Sequence, residues 1–265
     1  MKRVLSLVFL LWGFLWAEQG YIIVQETKGK EAHISMESKS VVYLTKSAMR
    51  IDTESVMKMD TGNIPEEMKK QMPREIKRKT STIQRISKGK VEIYSIDHQK
   101  GTYIDFSSTP EFIIIGFMSA FIKCDRQTGE CHINKNAFKP TNEFKNINGY
   151  KARKIIIKTQ GMHPGMDNIE MATWFTKDNK NLVNAERLRT DLMIKSAEST
   201  EFGKNNSKLI KELKVFLNNN IKKYGAPIKW EMPSGEVTII SVKSEDIKSS
   251  VFEVPKNYKK VLPPF

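Results

Sequence analysis

The chain has 265 residues, of which 39% are hydrophobic and 28% charged, and its formal net charge is +14. A chain of this length can bury a sizeable core, either as one large β-rich domain or as two ordinary domains. The lysines and arginines are spread along the whole sequence, and the densest run, residues 69–79, contains one acidic residue and no interleaved aromatic residues. This pattern argues against nucleic acid as a partner. It leaves attraction to anionic headgroups, or simple solubility, as the role of the positive charge.

The N-terminus has the features of a secretory signal peptide over residues 1–17. Residues 2–3 are basic, an apolar stretch covers residues 4–16, and Ala17 offers a small side chain for cleavage. The apolar stretch has about 13 residues, whereas a membrane-spanning helix needs roughly 20. A retained anchor is the alternative, because Leu15 is bulky for its place before the cleavage site. We therefore expect a periplasmic or secreted protein.

Short segments rich in β-branched and aromatic residues recur along the chain, and several alternate apolar with polar residues. In the N-terminal half they are residues 21–26, 33–37, 41–45, 49–53, 55–60, 81–86, 90–97 and 101–106. In the C-terminal half they are residues 131–136, 152–159, 169–177, 191–197, 228–233 and 236–245. Turn residues at 88–89 and 99–101 lie where hairpins belong. The pattern predicts a mainly β protein built on an antiparallel meander with one apolar face.

One amphipathic helix is predicted over residues 207–225, with Ser207 as its cap and Gly225 just past its end. Its apolar stripe consists of Leu209, Ile210, Leu213, Phe216, Leu217 and Ile221. A second helix start is predicted within residues 65–79, where Pro73 would kink or end it. The tail from Pro255 onward is predicted to be a loose end.

Residues 110–123 are the most hydrophobic stretch after the signal segment. As a strand the stretch would be fully buried, and as a helix it would be apolar on nearly every side, so the choice between helix and strand stays open. Because the sequence shows no linker, repeat or low-complexity tract, we predict a single domain over residues 18–262.

The two cysteines of the chain, Cys124 and Cys131, flank a turn-like segment and are followed by His132. Haem attachment needs Cys-x-x-Cys-His, and a zinc knuckle needs a second pair of ligands, so both fit poorly. Two cysteines in an exported protein most often pair. We predict a disulfide across a hairpin, contributing about 2–3 kcal/mol on the chain-entropy model.

A methionine-rich segment is the clearest indication of a different function, metal binding. Met162, His163, Met166 and Met171 place thioethers around an imidazole, a combination that suits Cu(I). The alternative is a flexible loop whose methionines cover an apolar surface.

Catalytic motifs give no support for an enzyme. The four histidines lie in unrelated contexts, and the sequence contains no Gly-x-Ser-x-Gly or His-Glu-x-x-His motif. We therefore expect no catalysis and no cofactor.

Several segments together resemble a known family. They are VYLTKSAMRID (42–52), VEIYSIDHQKGTYIDF (91–106), FKNINGYKARKIIIKT (144–159), MATWFTKD (171–178) and IKWEMPSGEVTIISVKSEDIKSSVFEVPKNYKKV (228–261). In this order they resemble a family of exported bacterial proteins of unknown function that is related in fold to the outer-membrane lipoprotein carriers. The resemblance implies a curved antiparallel half-barrel whose concave face is covered by one or more helices. It also implies a cavity that shelters acyl chains. The family has no catalytic residues that the resemblance could assign to this chain.

Three functions are compatible with these patterns: a carrier or sensor for a lipid, lipoprotein or other apolar ligand; an envelope structural or interaction protein without a ligand; and a copper-binding protein. The carrier is the leading hypothesis, with a lipid or acylated partner, a possible envelope protein partner and transient contact with the membrane surface. The residues expected to face its cavity or to lie on its strands or rim are Phe112, Ile114, Phe117, Met118, Trp174 and Trp230.

Overall fold

The computed structural model describes residues 17–31, 34–60, 74–110, 118, 120–125, 128, 130–159 and 169–263. The strands of the first half are β1 (Ala17–Glu31), β2 (Ile34–Leu44), β3 (Ala48–Met59), β4 (Glu75–Ser87), β5 (Lys90–Asp97) and β6 (Thr102–Asp105). The remaining strands are β7 (Ile122–Cys124), β8 (Cys131–Ile133), β9 (Phe138–Ile147), β10 (Tyr150–Thr159), β11 (Ile169–Thr176), β12 (Ala226–Met232), β13 (Gly235–Lys248) and β14 (Lys259–Val261). The helices are α1 (Lys180–Ser199), α2 (Glu201–Asn205) and α3 (Ser207–Tyr224), and a short 3-10 turn covers Ser249–Phe252.

Twelve of the described strands form one open sheet in the order β14-β6-β5-β4-β3-β2-β1-β13-β12-β11-β10-β9. Neighbouring strands run antiparallel, and the parallel pair β14–β6 at one edge is the exception. The remaining two, β7 and β8, pair as a separate hairpin. The predicted mainly β, antiparallel architecture is confirmed.

Several hairpins turn at residues with positive φ. Lys88 and Gly89 have φ values of 49° and 74°, and Asn148 and Gly149 have values of 50° and 84°. Two successive residues with positive φ match the twist of antiparallel strands, which is why Asn-Gly and similar pairs favour two-residue turns. The turn predicted at residues 88–89 is therefore found where the sequence places it.

The sheet curls around α1. Asn148, in the β9–β10 turn, donates its amide to the carbonyl oxygen of Ile239 in β13 over 2.8 Å. Three strand spacings separate β10 from β13, which would be about 14 Å in a flat sheet. Ile147 and Ile239 also belong to the same buried cluster as Leu182 of α1. The sheet thus bends towards its helix-covered face, in agreement with a half-barrel that is not closed.

Both faces of the sheet carry buried side chains. On the helix side, Leu44, Ile93 and Ile228 are at most 2% exposed and pack in the clusters that also contain residues of α1 and α3. Fully burying a side chain of this size contributes roughly 1.5–3 kcal/mol. On the opposite side, Ile83 and Phe252 belong to a cluster formed by the strands and the C-terminal segment.

The C-terminal tail is attached to the sheet, so the prediction of a loose end is wrong. β14 pairs with β6, and the Tyr258 hydroxyl lies 2.9 Å from Nδ1 of His98. The edge strand β6 offers free backbone groups on its outer side, and the tail occupies them.

The predicted helix over residues 207–225 is confirmed as α3, but its predicted cap is wrong. Asn206 is the N-cap residue and makes no side-chain capping bond, while Ser207 already has helical geometry. At the other end Gly225 adopts a φ of 86° and its N–H donates to the Ile221 carbonyl.

Residues 191–197, predicted as a strand, belong to α1. Asn179 caps this helix by accepting a hydrogen bond from the N–H of Leu182. The helix lies between the sheet and α3, so most of residues 192–197 are buried. A run this continuously buried lacks the alternation of polar and apolar faces that identifies a helix from sequence.

Several other boundaries differ from the predictions. Residues 75–79 belong to strand β4 rather than to a helix, because they pair with β3 along its outer half. The strand segments predicted on either side of residue 40 form one strand, β2, and those on either side of residue 54 form β3. Residues 65–73 and most of 110–123 lie outside the described residues.

The predicted disulfide between Cys124 and Cys131 is present and joins β7 to β8. Thr128 donates its backbone N–H to the Asp125 carboxylate inside the closed loop. Such a bond is consistent with an oxidising, extracytoplasmic compartment. Among the described residues, no helix combines the length and the apolar character needed to cross a bilayer.

Candidate ligand pocket

An apolar pocket of about 290 Å³ lies between the sheet and the helices α1 and α3. We call it the apolar pocket. Its lining residues are Ala120, Phe121, Phe138, Ile157, Met171, Phe175, Glu186, Arg189, Thr190, Leu217, Asn220, Ile221, Pro227 and Trp230. The volume falls near the lower end of the roughly 300–1,000 Å³ typical of small-molecule sites.

Each wall of the apolar pocket follows from a local sequence pattern. Ile157 and Met171 are direct partners in the β10–β11 ladder and therefore lie on one face of the sheet. Leu217 and Ile221 are four residues apart and lie on the same face of α3. The strands and the helix thus each present an apolar face to the pocket, as expected from the periodicity of strand and helix.

Phe138, at the start of β9, organises the aromatic part of the pocket. Its ring stacks on Phe121 with centroids 5.6 Å apart and meets Phe175 edge-on at 6.1 Å. The ring of Tyr224 lies 6.4 Å away. Aromatic pairs in these arrangements contribute about 0.5–1.5 kcal/mol beyond their buried area, so they stabilise this end of the pocket.

Two charged side chains of α1 line the opposite part of the apolar pocket. Arg189 and Glu186 form an ion pair one helical turn apart, with nitrogen and oxygen 2.7 Å apart. Because the pair is internally neutralised and only partly exposed, it adds polarity to the lining without a net charge.

The residues predicted to face or border the ligand cavity do not all lie in one place. Trp230 lines the apolar pocket. Met118 is buried in the adjacent cluster with Phe121 and Ile210. Phe112, Ile114 and Phe117 lie outside the described residues. The assignment of these residues to a ligand cavity remains a prediction.

Trp174 is buried beside charged groups and does not line the apolar pocket. Its indole ring has the ammonium groups of Lys145 and Lys154 within 6.0 Å of its centre. Burial opposes ionisation of the neighbouring Glu231, but the Trp174 N–H and the Lys229 ammonium outweigh it, so the pKa of Glu231 is lowered. The indole Nε1 makes no bond of good hydrogen-bonding geometry within the described part of the chain.

Sequence reasoning missed most of the lining. Phe138 and Phe175 are in contact although their strands are far apart in the chain, and no local sequence pattern predicts that contact. The α1 residues of the lining, Glu186, Arg189 and Thr190, lie in a segment for which the sequence predicted no helix or strand. The stripe on α3 and the alternation Met171–Thr173–Phe175 were the two available signals.

Metal binding finds no site in the described residues, which contain no group of three or more His, Cys, Asp or Glu side chains able to hold an ion. Met162, His163 and Met166 lie outside the described residues, so the copper hypothesis remains a prediction.

One polar cluster brings a serine, a histidine and an aspartate together. The Ser81 hydroxyl donates to Asp52 over 2.5 Å and lies 2.6 Å from Nε2 of His98. The histidine therefore does not bridge serine and aspartate, as it does when a serine is activated for attack. Ser81 is only 1% exposed, and the cluster holds Tyr258 of the tail through His98.

No family model matches the chain. A protein of Aquifex aeolicus (strain VF5), described as uncharacterized, is 29% identical over 266 aligned positions. The alignment covers 97% of this chain and 87% of that protein. The chain is therefore similar to a distant homologue along almost its whole length, and this similarity assigns no family.

Proposed function

We propose that the protein is an exported binding or carrier protein for a lipid or another ligand with an acyl chain. The observation that carries the proposal is the apolar pocket between the curled sheet and the helices α1 and α3. The sequence resemblance to the half-barrel family of lipoprotein carriers and the disulfide expected of an oxidising compartment support it.

An acyl chain that enters the apolar pocket passes from water into an aromatic and aliphatic lining. Burying an acyl chain contributes about 0.8 kcal/mol per CH₂. A few buried methylenes therefore offset part of the cost of association, and a longer segment gives micromolar binding. The Glu186–Arg189 pair supplies one polar contact without an unpaired buried charge.

The test fills the pocket and measures the loss of lipid. Met171→Trp places a larger side chain in the lining, whereas Met232→Trp makes the same change at a position of β12 that is 38% exposed. Native mass spectrometry of each protein, isolated without detergent from its own envelope, should show a bound acyl ligand in the wild type and in Met232→Trp. Met171→Trp should have lost it while its circular dichroism stays unchanged.

The proposal would be contradicted if the wild type carried no lipid when isolated and bound none when lipid was added. An unoccupied, tightly packed interior in solution would instead favour the envelope structural function. Copper retained through dialysis would favour the metal-binding function.

A further inference from the structure

A second pocket, of about 320 Å³, lies next to the apolar pocket and shares Phe175 with it. We call it the basic pocket. Its lining consists of Phe144, Lys151, Arg153, Phe175, Lys177, Asp178, Lys223 and Tyr224. Four cations thus face one carboxylate, and they come from three separate parts of the chain: β10, the end of β11 and the end of α3.

The side chains of Lys151, Lys177 and Lys223 are exposed, and that of Arg153 is half-buried. Unlike these four cations of the basic pocket, other lysines of the protein form ion pairs. Lys154, for example, lies 3.0 Å from Glu143, and Lys229 lies 2.7 Å from Glu236. Within the described residues, no carboxylate oxygen comes within 4.0 Å of the four cations of the basic pocket. Grouped cations without counter-charges repel one another and raise the local concentration of anions.

Two of the four cations of the basic pocket, Arg153 and Lys151, are positioned by specific contacts. Arg153 donates its Nε–H to the Thr141 carbonyl over 2.7 Å, and its guanidinium carbon lies 5.7 Å from the centre of the Phe144 ring. The Lys151 ammonium lies 5.0 Å from the same ring, which is 55% exposed. Cation–π contacts of this kind hold both charges at the rim of the pocket.

The position of Lys223 has a second explanation that must be weighed. Lys222 and Lys223 lie in the last turn of α3, where cations interact favourably with the helix dipole. That effect places a lysine at the helix end, but it does not account for Lys151, Arg153 and Lys177 on the neighbouring strands. The convergence of all four therefore needs a partner of its own.

We infer that the basic pocket binds the phosphoryl headgroup of the amphiphile whose acyl chain occupies the apolar pocket. The inference rests on the proposed function, because the two pockets meet at Phe175 and so match the two ends of one molecule. Arginine and lysine are the side chains that proteins use for phosphate, the former through its planar fork. Four cations against one carboxylate fit a phosphoryl headgroup with a net negative charge better than a neutral headgroup or a zwitterionic one, in which an ammonium group cancels the charge of the phosphate.

The experiment compares two short-chain lipids with the same acyl chains, dihexanoyl phosphatidylglycerol and dihexanoyl phosphatidylcholine, each added as monomers at low salt. Binding is followed by calorimetry for the wild type, for Lys151→Gln/Lys223→Gln and for Lys90→Gln/Lys100→Gln. The last variant removes the same charge from exposed hairpin positions of β5. Inorganic phosphate alone is titrated in parallel.

The wild type and the hairpin variant should bind phosphatidylglycerol at least about tenfold more tightly than phosphatidylcholine, and the pocket variant should lose that preference. The affinity of the pocket variant for phosphatidylcholine should stay unchanged. Equal binding of both lipids by the wild type, or a preference that survives in the pocket variant, would overturn the headgroup assignment and leave the carrier function standing.

Binding of neither lipid by the wild type would overturn the carrier function together with the headgroup assignment. Phosphate that binds the wild type but not the pocket variant, in the absence of lipid binding, would make the basic pocket a site for free phosphate and contradict the inference. All variants should keep the circular dichroism spectrum of the wild type, because each replaces exposed side chains.

Discussion

Gly225 forms the tight connection between α3 and β12, with a φ of 86° and a ψ of −146°. A Cβ atom added at this position would collide with the carbonyl oxygen of Thr176 in β11. We expect Gly225→Ala to lower the free energy of unfolding by more than about 2 kcal/mol, since backbone strain alone costs about 1–3 kcal/mol. Because the same connection brings Lys223 next to Lys177, both pockets should also be disturbed.

The matched control is Gly149→Ala. Gly149 has nearly the same φ, 84°, but a Cβ atom there meets nothing within 4 Å. This variant should therefore cost only about 1 kcal/mol in a urea titration. Equal losses in the two variants would show that the contact with Thr176 contributes nothing.

His98 gives the protein a specific dependence on pH. Burial and the nearby Arg50 and Lys79 lower the pKa of His98, against the opposing attraction of Asp52 and Asp97. The folded state thus binds the proton less readily than the unfolded chain. The stability that depends on neutral His98 is complete above the ordinary value near 6.5 and is lost as the pH falls through the lowered folded-state pKa.

We therefore expect the melting temperature of the wild type to fall more steeply from pH 7.5 to pH 5 than that of His98→Gln. Both melting curves are to be measured in the same buffers at constant ionic strength. Parallel curves would mean that His98 does not couple protonation to folding.

At the scale of the elements, the disulfide supports a hairpin that is too short to be stable alone. β7 and β8 have three residues each, and Ile122 and Ile133 attach them to the cluster around α3. Cys124→Ser/Cys131→Ser should lower the free energy of unfolding by about 2–3 kcal/mol, the chain-entropy value for so short a loop. Wild-type protein denatured with urea under reducing conditions should show the same loss, and an unchanged midpoint would contradict the prediction.

Elements with one buried face and one exposed face could be predicted from the sequence. β5 was predicted with its observed bounds because Val91, Ile93 and Ile96 are buried between partly exposed neighbours. α3 was found because its apolar stripe faces the core on one side only. α1 was not, because burial on several sides removes the periodicity on which such predictions rest.

At the scale of the molecule, the curved sheet and its helical cover were predicted, whereas most residues that line the pockets were not. Phe138 contacts the rings of Phe121, Phe175, Phe216 and Tyr224, which come from three different elements or segments. Contacts of that kind depend on how the sheet curls, and the curl is not encoded in any one segment. The same holds for the four cations of the basic pocket, which look like ordinary exposed charges in the sequence.

The strand order also determines how the molecule should unfold. β1 pairs with β13 along almost its whole length, so the two halves of the chain share one continuous sheet. β14 then returns to the far edge, beside β6, and the segment before it covers the back of the first half. The described strands of both halves therefore depend on one hydrogen-bonded sheet.

We therefore expect a single cooperative unfolding transition. Trp174 and Trp230, the two tryptophans among the described residues, report on β11 and β12 through fluorescence, while far-ultraviolet circular dichroism reports on the whole sheet. The urea midpoints from the two probes should coincide, as two-state unfolding requires. Deletion of residues 255–265 removes β14 and Tyr258, so it should lower both midpoints equally even though the tryptophans lie far along the sheet from that edge. A fluorescence midpoint that does not move after the deletion would divide the chain into two independently stable units.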